Sequence, residues 1–206
     1  MSKIRIIIAD DHTIVRIGLK ALVESETDIE VVGEAEDGEE AVQQAVRLHP
    51  DVVIMDLVMP KVDGVAATRE IGRQAPNAKV LILTTFGTSD AIAHALETGA
   101  RGALMKTTDD ATIVTAIRQV AQGRKFISQE VQRQLTIDPP TEQLSPRQSE
   151  IMRSITKGLS NKEIANNLGI RIDSVEEHVK AILKKLGAAN RAEAVAIALR
   201  KQLLKL

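Results

Sequence analysis

The chain has 206 residues, enough for two small domains with a core in each, and its formal charge is −1. Cysteine is absent, which excludes disulfides and thiolate metal sites; tryptophan and tyrosine are also absent and phenylalanine occurs only at 86 and 126, which nearly excludes aromatic stacking on nucleic-acid bases. Residues 142–206 carry twelve Lys/Arg against seven Asp/Glu and the remainder fifteen against twenty-one, so an acidic body bears a basic C-terminal part suited to a polyanion partner.

No apolar run approaches the ~20 residues needed to span a bilayer, and the N-terminus opens directly into a strand pattern. A soluble, cytoplasmic protein with no membrane association is expected. Ile4 to Ala9, broken only by Arg5, reads as a central strand ending in Asp10-Asp11, and a helical pattern follows with Val15, Leu19 and Leu22 on one face. The alternation then repeats, with strands predicted at Glu30–Glu34, Val52–Met55, Val80–Leu83 and Gly102–Met105, and helices near 38–48, 65–74, 88–98 and 109–122. Five strands alternating with helices imply a parallel, doubly wound sheet with right-handed crossovers. No Gly-x-Gly-x-x-Gly or Gly-Lys-[Ser/Thr] loop follows a strand, so dinucleotide and nucleoside-triphosphate readings lose their main support.

The polar residues fall at strand ends. Asp10 and Asp11 end the first strand, Asp56 the third, Thr84 the fourth and Lys106 the fifth, so all five should emerge at one carboxyl edge of the sheet. If the first and third strands are neighbours, three carboxylates crowd one crevice and repel unless a cation joins them. A hard divalent metal such as Mg²⁺ suits that group, leaving Asp56 to attack phosphorus, Lys106 to supply a point charge and Thr84 a hydroxyl donor. Singly, Asp11 reads as a helix cap, Lys106 as a strand-end surface lysine and Thr84 as a β-former. The five together, with Met59-Pro60 and Asp63-Gly64 after Asp56, read as a site.

On these residues, positions 1–122 resemble the receiver domain of two-component response regulators. The resemblance implies that Asp10, Asp11, Asp56 and the backbone carbonyl of Val58 bind Mg²⁺ and that Asp56 accepts phosphate from a histidine kinase or a small phosphodonor. It also implies that Thr84 and Lys106 contact the phosphoryl group. One departure is Ala103, where the family usually has a Tyr or Phe that swings inward with the Thr on activation. The aromatic half of the usual switch is missing.

Gly123-Arg124-Lys125 closes the last helix of this part, 127–135 fits a short helix with Ile127, Val131 and Leu135 on one face, and Asp138-Pro139-Pro140-Thr141 breaks the chain. Residues 123–141 read as a linker. Beyond it, Ser145-Pro146-Arg147-Gln148 and Ser160-Asn161-Lys162-Glu163 are capping boxes, each followed by apolar residues at helical spacing. A helix over 172–186 and a last one over Arg191–Lys201 complete a helix-turn-helix arrangement whose third helix would enter the major groove. A four-helix protein-binding module is the bland alternative.

Leu144-Ser-Pro-Arg147, Gly158-Leu-Ser-Asn-Lys-Glu-Ile-Ala165, Ser174-Val175, His178 and Leu186-Gly187 with Arg191 resemble the LuxR-type domain, and the whole chain resembles response regulators of the NarL/FixJ class. The resemblance implies a flavodoxin-like doubly wound five-stranded parallel sheet followed by an all-α four-helix helix-turn-helix domain over 142–206. The function implied is a non-enzymatic, phosphorylation-controlled transcription factor on double-stranded DNA, a homodimer when phosphorylated. The family's usual Thr-Val-Lys-x-His appears as Ser174-Val175-Glu176-Glu177-His178, reversing a charge at the groove. Arg171 stands where a Ser/Thr cap is usual, so the helix is expected to begin at Asp173 with Glu176 three residues later. Phosphate contacts fall to Lys162, Lys180, Lys184 and Arg191, and Glu176 or Glu177 would accept from a cytosine amino group. Two rivals are a receiver coupled to a protein-binding output and a Mg²⁺-dependent phosphatase. The latter usually wants a second Asp two residues after the nucleophile, where this chain has Val58.

Overall fold

A computed structural model describes residues 3–85, 88–201 and 203–204 and divides the chain into two compact units, Met1–Pro139 and Pro140–Leu206. The first unit contains strands β1 (Ile4–Ala9), β2 (Ile29–Ala35), β3 (Val52–Met55), β4 (Lys79–Thr84), β5 (Gly102–Met105) and β6 (Phe126–Ile127). Its helices are α1 (Thr13–Glu24), α2 (Gly38–Leu48), α3 (Gly64–Gln74), α4 (Ser89–Glu97), α5 (Asp110–Ala121) and α6 (Gln129–Ile137). All strands are parallel, in the order β2-β1-β3-β4-β5-β6. The chain moves one way from β1 to β2 and the other way from β3 onward, so the switch point lies between β1 and β3, as expected for a doubly wound sheet.

The two faces of the sheet are built by the strands' period of two. Ile7, Ala9, Val53, Met55, Val80, Ile82 and Ala103 enter one core with residues of α2, α3, α4 and α6, whereas Ile6, Ile8, Val52, Ile54, Leu81, Leu83 and Leu104 enter the other with α1 and α5. Both faces are covered, which is why these strands read as unbroken apolar runs.

The sheet has six strands among the described residues, not the five expected, and the segment read as the start of a linker belongs to the first unit. The Phe126 amide donates to the carbonyl of Arg101 at 3.0 Å and the Ser128 amide to that of Ala103 at 3.1 Å, extending the sheet by β6. The β6 backbone can lie so close only because residue 102 is glycine: a Cβ there would sit 2.7 Å from the Phe126 carbonyl oxygen. Ser128 caps α6, and Val131 is wholly buried in the core that holds Ala103. A two-residue strand has no periodicity to detect, so this closure was invisible in the sequence.

Among the described residues the second unit has four helices, α7 (Pro146–Thr156), α8 (Asn161–Leu168), α9 (Ile172–Leu186) and α10 (Arg191–Arg200). Both capping boxes form: Ser145 with Gln148 opens α7, and Ser160 with Glu163 opens α8. Gly169 and Gly187 end α8 and α9 at φ 63° and 66°, left-handed conformations that glycine adopts at little cost. Ile151, Met152, Ile155, Ile164, Val175, Ile182 and Leu186 form the core of this unit. The third helix starts at Ile172, not Asp173. Arg171 occupies the cap position without a side-chain cap bond, and its guanidinium instead pairs with Asp173 at 2.9 Å.

Candidate functional site

At the switch point, ladder bonds continue past the strand ends and bring the polar residues together. The Asp56 amide donates to the Ala9 carbonyl at 2.9 Å and the Lys106 amide to the Thr84 carbonyl at 2.9 Å, so the ends of β1, β3, β4 and β5 stand in one row. The turn after Asp56 is held by Gly64, whose amide bonds the Leu57 carbonyl at 3.0 Å and whose missing side chain would collide with the carbonyl of Asp56. Asp63 then caps α3 through the Ala66 amide.

Asp10 and Asp56 are 2% and 5% exposed. The Lys106 ammonium bridges them, at 2.5 Å from Asp10 Oδ2 and 2.6 Å from Asp56 Oδ2. Burial pulls this ammonium's pKa down, but its hydrogen bonds to the two carboxylates outweigh that and hold it above the ordinary lysine value. Asp56 Oδ1 accepts from the Leu57 amide at 2.7 Å and Asp10 Oδ1 from the His12 amide at 2.9 Å, so each carboxylate is oriented from both sides. The Thr84 hydroxyl is buried in the same row of strand ends with no hydrogen-bond partner among the described residues. A buried hydroxyl without a partner is destabilising unless a ligand uses it. Asp11 and the Val58 side chain are exposed at the mouth.

One ligand atom from each of Asp10, Asp11, Asp56 and His12 lies within 4.8 Å of the other three. Lys106 offsets one of the three carboxylate charges. At roughly 4 Å, each like-charged pair repels by about 4 kcal/mol at an effective dielectric of 20, so the remaining charge favours a cation. Hard oxygen donors with open solvent on one side fit a divalent ion that keeps part of its water shell.

Two residues of this region carried no assignment in the sequence reading. His12 follows the acidic pair directly. Arg16 occupies the buried face of α1 with Leu19 and Val23, donates to the Asp10 carbonyl at 2.7 Å and pairs with Glu36 at 2.5 Å. An arginine at a core position of an amphipathic helix is the signal that would have found it, since such a charge must be paired.

In the second unit, Lys162 on α8 and Glu176, Glu177, Lys180 and Lys184 on α9 are exposed. Arg191 is different. Its guanidinium donates to Asn161 Oδ1 at 3.1 Å and to the Leu159 carbonyl, tying the start of α10 to the start of α8. No helix among the described residues is long and apolar enough to cross a membrane.

Comparison with known proteins identifies the family of each domain. Residues 6–118 match the family model of the response regulator receiver domain, and residues 142–198 that of bacterial regulatory proteins of the luxR family. The chain is 40% identical over 209 residues to the transcriptional regulatory protein LiaR of Bacillus subtilis, covering 98% of this chain and 99% of that one. It is 38% identical over 215 residues to the oxygen regulatory protein NreC of Staphylococcus aureus, with the same coverage. Among solved structures, the response regulator ChrA of a heme-sensing two-component system matches with TM-score 0.60 and 36% identity over 99% of this chain and all of that one. RcsB of Salmonella enterica serovar Typhimurium, bound to a promoter in the presence of the phosphomimetic BeF3−, matches with TM-score 0.71 and 29% identity over 95% of this chain and 98% of that one. The chain belongs to the two-component response regulators of the NarL/FixJ class, DNA-binding transcription factors in which a receiver domain is joined to a LuxR-type helix-turn-helix domain.

Proposed function

We propose that Asp56 is the phosphoacceptor, taking the phosphoryl group from a sensor histidine kinase or a small phosphodonor, and that this event controls binding of the second domain to double-stranded DNA. The observation that carries the reading is the Lys106 ammonium held between two buried carboxylates at the sheet's switch point. A carboxylate oxygen of Asp56 attacks phosphorus, the bond to the donor breaks, and the donor leaves with the electron pair. Lys106 exchanges its contact with Asp56 for a phosphoryl oxygen, and the buried Thr84 hydroxyl gains an acceptor. Asp10, Asp11, Asp56 and the carbonyl of Val58 would hold Mg²⁺, which neutralises charge on the transferring group. In this reading the receiver comprises residues 1–122 and the output domain residues 142–206, and phosphorylated chains pair as dimers on two half-sites.

The output face is α9, entering the major groove with Lys162, Lys180 and Lys184 on phosphates and Glu176 and Glu177 toward base edges. Arg191 adds to the phosphate contacts from its place beside Asn161. The decisive experiment is labelling by a small phosphodonor followed by intact-mass measurement. The wild-type chain should gain one phosphoryl group only with Mg²⁺, and Asp56→Asn none; full labelling of Asp56→Asn would overturn the assignment.

A further inference from the structure

Resting on the reading of the crevice as a phosphorylation site with its cation, we propose that Arg16 is a positioning residue for that reaction. Acting through Asp10, its guanidinium fixes the peptide that joins Asp10 to Asp11 and so sets the aim of the two carboxylates. The reason lies where a ladder ends. β1 bonds β2 as far as the Asp10 amide, which donates to the Ala35 carbonyl at 3.1 Å. β2 stops at Ala35 and the chain turns into α2, capped by Asp37, so the next rung, which would have engaged the Asp10 carbonyl, is missing. A buried carbonyl must find another donor. Arg16 Nη1 supplies it at 2.7 Å, reaching back from the buried face of α1.

The arginine forgoes better pairing to do this. Nη2 pairs with Glu36 at 2.5 Å, but Nε stands 3.7 Å from Glu34, beyond hydrogen-bond length, and is buried with no partner among the described residues. A guanidinium placed only to neutralise acid would grip one carboxylate with two parallel bonds. Here one buried donor is left unmade, which is destabilising, while another serves a carbonyl. Asp10 is thereby held at its carbonyl by Arg16, at Oδ1 by the His12 amide and at Oδ2 by Lys106. The contact at the carbonyl is the one that fixes the peptide plane, and the Cα of Asp11 lies in that plane. Charge and position make opposite demands on the outcome of losing Arg16. Removing a cation beside an acidic cluster strengthens the pull on Mg²⁺, whereas releasing the Asp10–Asp11 peptide weakens its hold.

Calorimetric titration of the full chain with Mg²⁺, joined to labelling rates with acetyl phosphate, tests this in the wild type, Arg16→Met, Arg16→Lys and Leu19→Ala. Mg²⁺ affinity should fall about tenfold in Arg16→Met, and the Mg²⁺ concentration that half-saturates labelling should rise by the same factor. The half-saturating concentration of acetyl phosphate should stay within about twofold. Arg16→Lys keeps the charge but cannot reach both the carbonyl and Glu36, so it should lose less, in the same direction, and it decides the matter if Arg16→Met does not fold. Leu19→Ala, on the same buried face of α1, loses packing alone and should leave Mg²⁺ affinity within about twofold. Unchanged or tighter Mg²⁺ binding in the folded Arg16 variants, or an equal loss in Leu19→Ala, would overturn the positioning role while leaving the phosphorylation site standing. If the wild type neither binds Mg²⁺ nor labels, the reading of the site fails and the inference with it.

Discussion

Lys106 and Lys180 are both lysines in functional surfaces, and they are held in opposite ways. Lys106 is 12% exposed at its side chain and locked between Asp10 and Asp56. Lys180 is exposed on α9. The first is a fixed charge in a low-dielectric crevice, where each ångström matters; the second is a solvated charge whose attraction for a polyanion is long-ranged and sequence-independent. A phosphorylation site needs the first kind and a DNA face tolerates the second.

The largest effect should separate them directly. Lys106→Met leaves two buried carboxylates without their cation and should lower the stability of the metal-free chain by about 2 kcal/mol, less than the 3–5 of a fully enclosed pair because the crevice opens to water. Added Mg²⁺ should restore part of this. Lys180→Met should change stability by less than about 0.5 kcal/mol. Denaturant titration checks both, and equal losses would erase the contrast.

A comparable effect is expected at Ala103. The family resemblance puts a Tyr or Phe at this position, but Ala103 is fully buried, paired with Ile82 in β4 and Ile127 in β6, and shares its core with Val131 of α6. Ala103→Tyr therefore overpacks this core and should cost about 1–3 kcal/mol by the same titration. It should also displace β6 and α6, which loss of amide-exchange protection over 126–137 would report. The loop after Thr84 includes residues 86 and 87, which lie outside the described residues.

On the DNA face, Lys180→Ala should weaken operator and scrambled DNA alike and flatten the salt dependence by about one unit of slope. Glu176→Lys should tighten non-specific binding more than operator binding, so the ratio between them falls; an unchanged ratio would show that the glutamate does not discriminate. Dissociation constants for both DNAs at matched salt decide this.

The smallest effect concerns a second charge pair near the site. Lys61 Nζ lies 2.6 Å from Asp37 Oδ2, and this bond, aided by the Glu40 amide, holds the Asp37 carboxyl below its ordinary range. A depressed carboxyl contributes stability above its unfolded pKa and loses it as pH falls through the folded value. Asp37→Asn should thus be less stable than the wild type at neutral pH, with the gap closing below about pH 4. A gap independent of pH would mean that the pair contributes packing rather than charge.

The strand ends at Asp10, Asp56, Thr84 and Lys106 were legible because buried parallel strands are unbroken apolar runs, so the first polar residue after each marks the sheet's edge. The capping boxes at Ser145 and Ser160 were legible because capping is local, complete within four residues. Tertiary structure decided what depends on distant backbone. The β6 strand exists because Gly102 admits the Phe126 carbonyl, α9 begins at Ile172 with Arg171 at the cap, and Arg191 is tied to the start of α8 because Asn161 and Leu159 offer acceptors. Arg16 follows the same logic: its place on the buried face of α1 was legible, but the Glu36 carboxylate it pairs with is brought to it by the packing of α1 against the sheet.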